Sequence, residues 1–329
     1  MNDRLDPSLA VPDLAAIRAA HERIRPHVHR TAVITCAALD AEVGARLWFK
    51  CENFQRIGAF KARGASNAVF SLDDDVARRG VVTHSSGNHG AAIAYAARRR
   101  GIPAWVVMPE GSARVKQENV RRFGATIRHS GMDAASRAAA CAEVERDTGA
   151  TMIHPFDNAS VIAGQGTAAV ELCESVPDLD AIVAPVGGGG LLSGTSIAAK
   201  GLRRDLLVWG AEPANAGDAA QSFRTGKVEP LPAGVTLTIA DGLRTPLAPR
   251  TLGAIRAYVT AFGTCSEDAI VRAMRMTWER MKIVIEPSAA VPLACLLERS
   301  LDLPGRRVGI IVSGGNIDIR RYGELLTGP

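Results

Sequence analysis

The stretch 181–202, AIVAPVGGGGLLSGTSIAAKGL, decides the fold. Its first six residues, Ala181–Val186, form an apolar run of strand length. Four glycines, Gly187, Gly188, Gly189 and Gly190, then open a helical pattern from about Leu191 to Leu202. A buried strand feeding a helix is the repeating unit of a parallel sheet. Glycines also let backbone N–H groups close on a phosphate, and a helix N-terminus adds positive potential. The run is not G-x-G-x-x-G, because the third position would be Leu192 or Ser193, and it lacks the Gly-Lys-Ser/Thr of a P-loop. A single small phosphate therefore suits it better than a dinucleotide or a nucleoside triphosphate. A plain tight turn is the competing reading, but four glycines exceed what a turn needs.

The alternation extends outward in both directions. Upstream, strand patterns at Leu47–Lys50, Val81–His84, Ala104–Met108, Thr126–His129 and Met152–Pro155 are separated by helical patterns around Gly90–Arg100, Ala113–Phe123 and Ala134–Asp147. A further helix is expected near Thr167–Glu174. Downstream come strands at Leu206–Ala211 and Val308–Val312, with 213–250 reading as irregular. Ser266 suits a helix N-cap before Glu267 and Asp268, and Ile270, Met274 and Trp278 recur every four residues. This order predicts an α/β fold with parallel or mostly parallel twisted sheets flanked by helices.

Two more strand ends carry polar loops. Ser85-Ser86-Gly87-Asn88-His89-Gly90 follows Val81–His84 and suits a carboxylate, with simple helix capping as the alternative. Ser313-Gly314-Gly315-Asn316 follows Val308–Val312 and can offer a hydroxyl to a ring nitrogen. Glu212 and Asp218 read more simply as solvated loop acids than as a cation site. No G-x-S-x-G or H-E-x-x-H occurs, so neither a hydrolase nor a zinc site is indicated.

The chain has 329 residues, 47% hydrophobic and 22% charged, an ordinary globular balance. Its net charge is +5, yet the basic residues are scattered among acids and aromatics are only 5%, which argues against nucleic acid as a partner. Of the 39 basic residues, six are lysines: Lys50, Lys61, Lys116, Lys200, Lys227 and Lys282. Only a lysine amine can lose its proton and attack a carbonyl, so any such chemistry has six candidates. Lys61 on its own reads as an exposed helix lysine. Six cysteines without CxxC spacing, no apolar leader and no membrane-length run predict a reduced, cytoplasmic protein with no membrane partner.

Taken together, these residues resemble the fold-type II pyridoxal-phosphate enzymes, in particular the family of eukaryotic-type serine racemases and short threonine/serine dehydratases. The segment Glu52–Gly64, ENFQRIGAFKARG, is similar to the lysine motif of that family. In order follow the SSGNHG loop, His154-Pro155-Phe156, AGQGT at 163–167, the tetraglycine, Glu212-Pro213, Ala240-Asp241-Gly242, Glu286-Pro287-Ser288 and Ser313–Asn316. The resemblance runs from about residue 12 to 320. It implies a two-lobed, tryptophan synthase beta-like fold, with a large lobe from 1–71 and 158–329, a small mobile lobe over 72–157, and a homodimer. It implies pyridoxal 5'-phosphate joined to Lys61, with its phosphate on Gly187, Gly188, Gly189 and Gly190, Phe60 and Leu191 beside it, Ser313 at the ring nitrogen and Asn88 at the ring 3-oxygen. Ser85, Ser86, Asn88 and His89 would surround the carboxylate of a small amino-acid substrate. Glu212, the Ala216 carbonyl and Asp218 would hold Mg²⁺, or Mn²⁺ or Ca²⁺.

The implied chemistry is α-proton removal by Lys61 and loss of a β-hydroxyl, giving a 2-oxo acid and ammonia. The expectation is a dehydratase of serine, threonine or 3-hydroxyaspartate type. Ser86, where typical threonine dehydratases carry alanine, permits a second proton relay, so a serine or aspartate racemase is the alternative. β-Replacement and a non-catalytic amino-acid sensor complete the set. Arg137 aligns with a substrate-reaching arginine and would favour an acidic substrate if it points inward; a solvated helix arginine is the competing reading. Ala91, Phe156 and Arg56 depart from the racemase pattern and argue against its nucleotide regulation. The short stretch after Asn316 predicts no C-terminal amino-acid-sensing domain.

Overall fold

The computed structural model describes residues 9–112, 114–232 and 238–328, with backbone alone at 115 and 116. Ala113, the expected start of one helix, the Lys116 side chain and 233–237 of the expected irregular stretch lie outside the described residues. In chain order the strands are β1 (Val33–Ile34), β2 (Arg46–Cys51), β3 (Val81–His84), β4 (Ala104–Pro109), β5 (Thr126–Ser130) and β6 (Thr151–Met152). They continue with β7 (Ala181–Pro185), β8 (Leu207–Pro213), β9 (Ala261–Cys265) and β10 (Arg307–Val312). A six-stranded sheet has the order β1-β2-β10-β7-β8-β9, and a four-stranded sheet the order β5-β4-β3-β6. Every pairing is parallel except β1 with β2.

β10 lies in the middle of the large sheet, and its sequence RVGIIV is buried from Val308 onward. Parallel strands covered on both faces need this continuous apolar run rather than an alternation. One covering layer is the crossed pair of helices Ala159–Ser175 and Gly190–Leu202. Glycine permits that crossing: a Cβ on Gly194 would stand 2.4 Å from the Ile162 carbonyl oxygen. Helix Lys61–Phe70 packs on both Ala159–Ser175 and Asn88–Arg100, so it touches elements belonging to each sheet.

Four details differ from the sequence expectations. Helix Ala159–Ser175 begins eight residues before Thr167, capped by Asn158 through the Val161 N–H at 3.0 Å. Gly164 and Gly166 lie inside this helix as contact points: a Cβ on Gly164 would stand 2.6 Å from the Arg63 carbonyl oxygen, and one on Gly166 2.7 Å from the Gly194 carbonyl oxygen. β6 stops at Met152, and the chain then leaves the sheet so that Pro155 and Phe156 line the site. The 213–250 stretch contains helix Asp218–Thr225 and the start of Pro249–Tyr258. Ser266 does cap helix Glu267–Met276, but a π turn over Thr277–Met281 then shifts the phase. Ile270 and Met274 are therefore buried while Trp278 is 49% exposed. Among the described residues no helix is long and apolar enough to cross a membrane.

Candidate active site

The carboxyl ends of β3, β7 and β10 face one cavity of about 1010 Å³. Ligands of open parallel sheets bind in such crevices, where loops rather than side-chain layers form the wall. Phe60, Lys61, Ser85, Ser86, Asn88, His89, Arg137, Gly187, Gly188, Gly189, Gly190, Leu191 and Ser313 all line it. Residues far apart in the chain thus share one space.

Lys61 is the first residue of its helix and is half-buried, which corrects the reading of an exposed helix lysine. Its Nζ donates to the Pro155 carbonyl at 3.0 Å. Burial pulls the amine down to about 8, with the Glu286 carboxylate resisting. Roughly a tenth of the amine is then neutral and nucleophilic at pH 7, far more than for an ordinary lysine.

The tetraglycine leaves β7 and enters helix Gly190–Leu202, which no side chain caps. Gly189 has φ +85°, a conformation that favours glycine. A Cβ on Gly188 would stand 2.4 Å from the Phe156 ring, and the Gly188 carbonyl is fixed by the Thr251 hydroxyl at 2.9 Å. The wall is therefore bare backbone, and the uncapped N–H groups of the first turn remain for an anion. These features fit a phosphate.

The SSGNHG loop likewise enters helix Asn88–Arg100 without a side-chain cap, so the capping alternative fails. Asn88 Nδ2 donates to Glu286 Oε1 and Oε2 at 3.0 and 3.1 Å, and Asn88 Oδ1 accepts from Asn316 Nδ2 at 2.9 Å. Asn316 also donates to the carbonyl of Ile57, whose φ of +59° is strained for a β-branched residue. His84, His89 and His154 cluster nearby. Burial, with Lys61 next, holds His89 far below the ordinary imidazole range. Burial, reinforced by His84, brings His154 to about 4. His154 Nδ1 accepts the Asp157 N–H at 2.9 Å, so its proton sits on Nε2. His84 is lowered by burial and by the neighbouring Arg137 charge.

Arg137 is half-buried on the cavity wall, and Nη1 donates to the Met132 carbonyl at 2.7 Å. Its guanidinium is therefore held at the cavity wall by a local carbonyl. Among the described residues it has no carboxylate partner.

Glu212, near the end of β8, lies with Ala216 and Asp218 just after it, outside the cavity, and the three are 1%, 0% and 2% exposed. The solvated-acid reading is thereby corrected. Glu212 accepts the N–H groups of Ala219 and Ala220 at 3.1 and 2.7 Å. Both Asp218 carboxylate oxygens are buried without a partner. Burial raises Glu212 well above its usual value and Asp218 to about 7. Two crowded, under-satisfied carboxylates fit an oxygen-liganded cation. Three His, Cys, Asp or Glu side chains placed to share a metal are absent among the described residues.

Sequence reasoning gave no role to Glu286 and passed over Thr251. Glu286 stood in a quoted motif, but its partner Asn88 lies 198 residues away. Thr251 lies just past the stretch read as irregular and carried no signal.

The chain matches the family model described as "Pyridoxal-phosphate dependent enzyme" over residues 24–314. It is 47% identical over 312 residues to a serine racemase from Oryza sativa subsp. indica, covering 93% of this chain and 91% of that protein. It is also 47% identical over 309 residues to a beta-hydroxyaspartate dehydratase from Paracoccus denitrificans, covering 94% and 98%. Its structure is similar to that of maize serine racemase, with a TM-score of 0.92, 44% identity and coverage of 96% and 97%.

Proposed function

The chain belongs to the family of pyridoxal-phosphate dependent enzymes, and on that premise we propose that it is a dehydratase of 3-hydroxy amino acids. The observation that carries this reading is the joint lining of one cavity by a depressed-pKa lysine, an uncapped tetraglycine turn and a second uncapped polar loop. The overall change is a 3-hydroxy amino acid to a 2-oxo acid plus ammonia. The α-proton and the β-hydroxyl leave as water, and water returns to release the nitrogen. Beta-hydroxyaspartate dehydratase activity is named for one relative and serine racemase for others, which sets the substrate range to test.

When bound, pyridoxal phosphate supplies an aldehyde for an amine and a ring that accepts electrons from the α-carbon. Gly187–Gly190 would hold its phosphate, with Leu191 and Phe60 packing beside it, Ser313 at the ring nitrogen and Asn88 at the 3-oxygen. A serine hydroxyl there cannot keep the nitrogen protonated as a carboxylate would, which favours elimination over slow reprotonation. Ser85, Ser86 and His89 orient the substrate carboxylate with the N–H groups of the helix start. Neutral Lys61 takes the α-proton at Nζ, and the Pro155 carbonyl fixes the direction of its N–H. Arg137 offers an unmatched guanidinium to an acidic side chain, which favours 3-hydroxyaspartate among the candidates.

A second reading rests on Ser86. Its hydroxyl lines the same cavity as Lys61, so two proton-relaying groups face the substrate and racemisation can accompany elimination. Ammonia release from serine, threonine and 3-hydroxyaspartate, with chiral analysis of the remaining substrate, tests both. Ammonia with unchanged stereochemistry supports the dehydratase; inversion without ammonia supports the racemase.

Three further assignments complete the reading. Glu212, the Ala216 carbonyl and Asp218 take Mg²⁺, Mn²⁺ or Ca²⁺, as the orphaned Asp218 oxygens favour. Residues 72–157 form a small mobile lobe against 1–71 and 158–329, a division supported by the two separate sheets. The protein works as a cytoplasmic homodimer, to which its six free cysteines are suited by a reducing compartment.

A further inference from the structure

The AGQGT motif at 163–167 has no place in this chemistry, and neither do four buried charges, Lys50, Glu52, Arg63 and Glu171. All of them surround the first turn of helix Lys61–Phe70. Its N-cap residue, Phe60, offers no capping side chain. Its N–H groups are met by other means: Ala62 donates to the Ala59 carbonyl at 3.3 Å, Arg63 to Phe60 at 2.9 Å and Gly64 to Gln165 Oε1 at 3.1 Å. The preceding Phe60 N–H donates to the Ser313 carbonyl at 2.9 Å. Glycines let the two helices meet at this point. A Cβ on Gly164 would stand 2.6 Å from the Arg63 carbonyl oxygen, and one on Gly64 would stand 2.3 Å from Gln165 Nε2.

Arg63, two residues after Lys61, is fully buried. Its Nε and Nη2 donate to Glu52 at 2.7 and 2.8 Å. Its Nη1 and Nη2 donate to Glu171 at 2.8 and 2.7 Å, and Nη1 also donates to the Thr167 hydroxyl at 3.1 Å. Lys50 Nζ donates to Glu171 at 2.6 Å and to the Thr31 carbonyl at 2.8 Å. The Thr31 hydroxyl donates to Glu52 at 2.6 Å. Two cations and two carboxylates balance.

Such a network is a poor device for stability alone, because well-packed apolar residues of the same volume do as well or better. What it adds is geometry. One planar guanidinium forks to carboxylates on two different elements, the turn after β2 and helix Ala159–Ser175, and so fixes the Lys61 turn in rotation and height against both. We propose that Arg63 is a positioning residue for Lys61: the Glu52–Arg63–Glu171 cradle, with Gln165 on the next residue, sets where the lysine amine meets the cofactor aldehyde. The proposal rests on the reading of Lys61 as the cofactor-joined lysine.

The test uses cofactor-free full-length protein titrated with pyridoxal 5'-phosphate, reading fluorescence quenching for Kd and the pH midpoint of the visible band. Arg63→Lys keeps the charge but loses the fork, and Thr31→Val removes one hydrogen bond to Glu52. Ile270→Ala, a core cavity in helix Glu267–Met276, is the control for lost stability. Arg63→Lys is expected to weaken cofactor affinity about tenfold or more and to move the pH midpoint. Thr31→Val is expected to weaken it about threefold, and Ile270→Ala by less than about twofold. Arg63→Lys binding no more weakly than Ile270→Ala, with an unmoved midpoint, overturns the proposal. Where Arg63→Lys does not fold, Thr31→Val against the control decides in the same way. Lys61→Ala separates the two layers: wild-type affinity with an intact visible band there would defeat the reading of Lys61 itself. Loss of the band in Lys61→Ala, with none of these changes in Arg63→Lys, defeats the cradle alone.

Discussion

Lys61 carries an amine that burial draws down to about 8, and this has a direct kinetic consequence. Only the neutral amine attacks an aldehyde, and below its pKa the neutral fraction falls about tenfold per pH unit. The rate of cofactor capture by cofactor-free protein should therefore rise with pH up to about 8 and then level off, as stopped-flow absorbance can show; a midpoint near the ordinary lysine value of about 10.4 would contradict it. Ser86→Ala should spare ammonia release and lower racemisation by about tenfold or more, since elimination needs one base and inversion needs two proton relays. Equal losses of both rates would remove the separate role of Ser86. Arg137→Gln should lower kcat/KM for 3-hydroxyaspartate by about tenfold or more while changing that for serine by less than about threefold, because a charge-assisted pair is lost only with the acidic side chain. Parallel steady-state assays decide this, and equal changes for both substrates would refute it.

At the scale of elements, the tetraglycine turn has no room for side chains. In Gly188→Ala the new methyl would stand 2.4 Å from the Phe156 ring, so either the ring or the turn must shift. Cofactor affinity, measured by equilibrium dialysis, should fall about tenfold or more, with a smaller effect on melting temperature. Retained affinity would show that the turn does not hold the phosphate. This element was legible because an apolar strand, glycines and a helical pattern are adjacent in the chain. β10 was legible for the same reason, since its apolar run is continuous. Helix Ala159–Ser175 was only half legible: its expected start near Thr167 missed the first two turns, where Gly164 and Gly166 serve close backbone approach to Arg63 and Gly194. Trp278 was misplaced because one π turn resets the helical phase, which no spacing rule foresees.

At the scale of the whole molecule, the two sheets turn the carboxyl ends of parallel strands toward one cavity, and the motif order along the chain already pointed there. The pairings that complete the site were not legible. Asn88 with Glu286 and Arg63 with Glu171 join residues 198 and 108 positions apart, and nothing local marks a polar side chain as someone's partner. Glu212 and Asp218 looked like surface acids for the same reason. Without a cation, Asp218 in the folded state holds its proton up to about 7, above the value near 3.9 of an unfolded aspartate. Stability from this group is therefore full at low pH and is lost as pH rises through about 7. A cation replaces the proton, so millimolar Mg²⁺ should raise the melting temperature by about 2–4 °C near pH 8 and by much less near pH 5.5. Equal shifts at both values, or none, would contradict the cation site.

The central claim is that Lys61 drives β-elimination from a 3-hydroxy amino acid, and paired product measurement tests it most directly. The holoenzyme and Lys61→Ala, both incubated with pyridoxal 5'-phosphate, are given serine, threonine and 3-hydroxyaspartate, and ammonia and 2-oxo acid are quantified together. The expected result is equimolar ammonia and 2-oxo acid from the wild-type enzyme with at least one substrate, and neither product from Lys61→Ala. Normal turnover by Lys61→Ala, or no ammonia from the wild-type enzyme with any of the three, would contradict it.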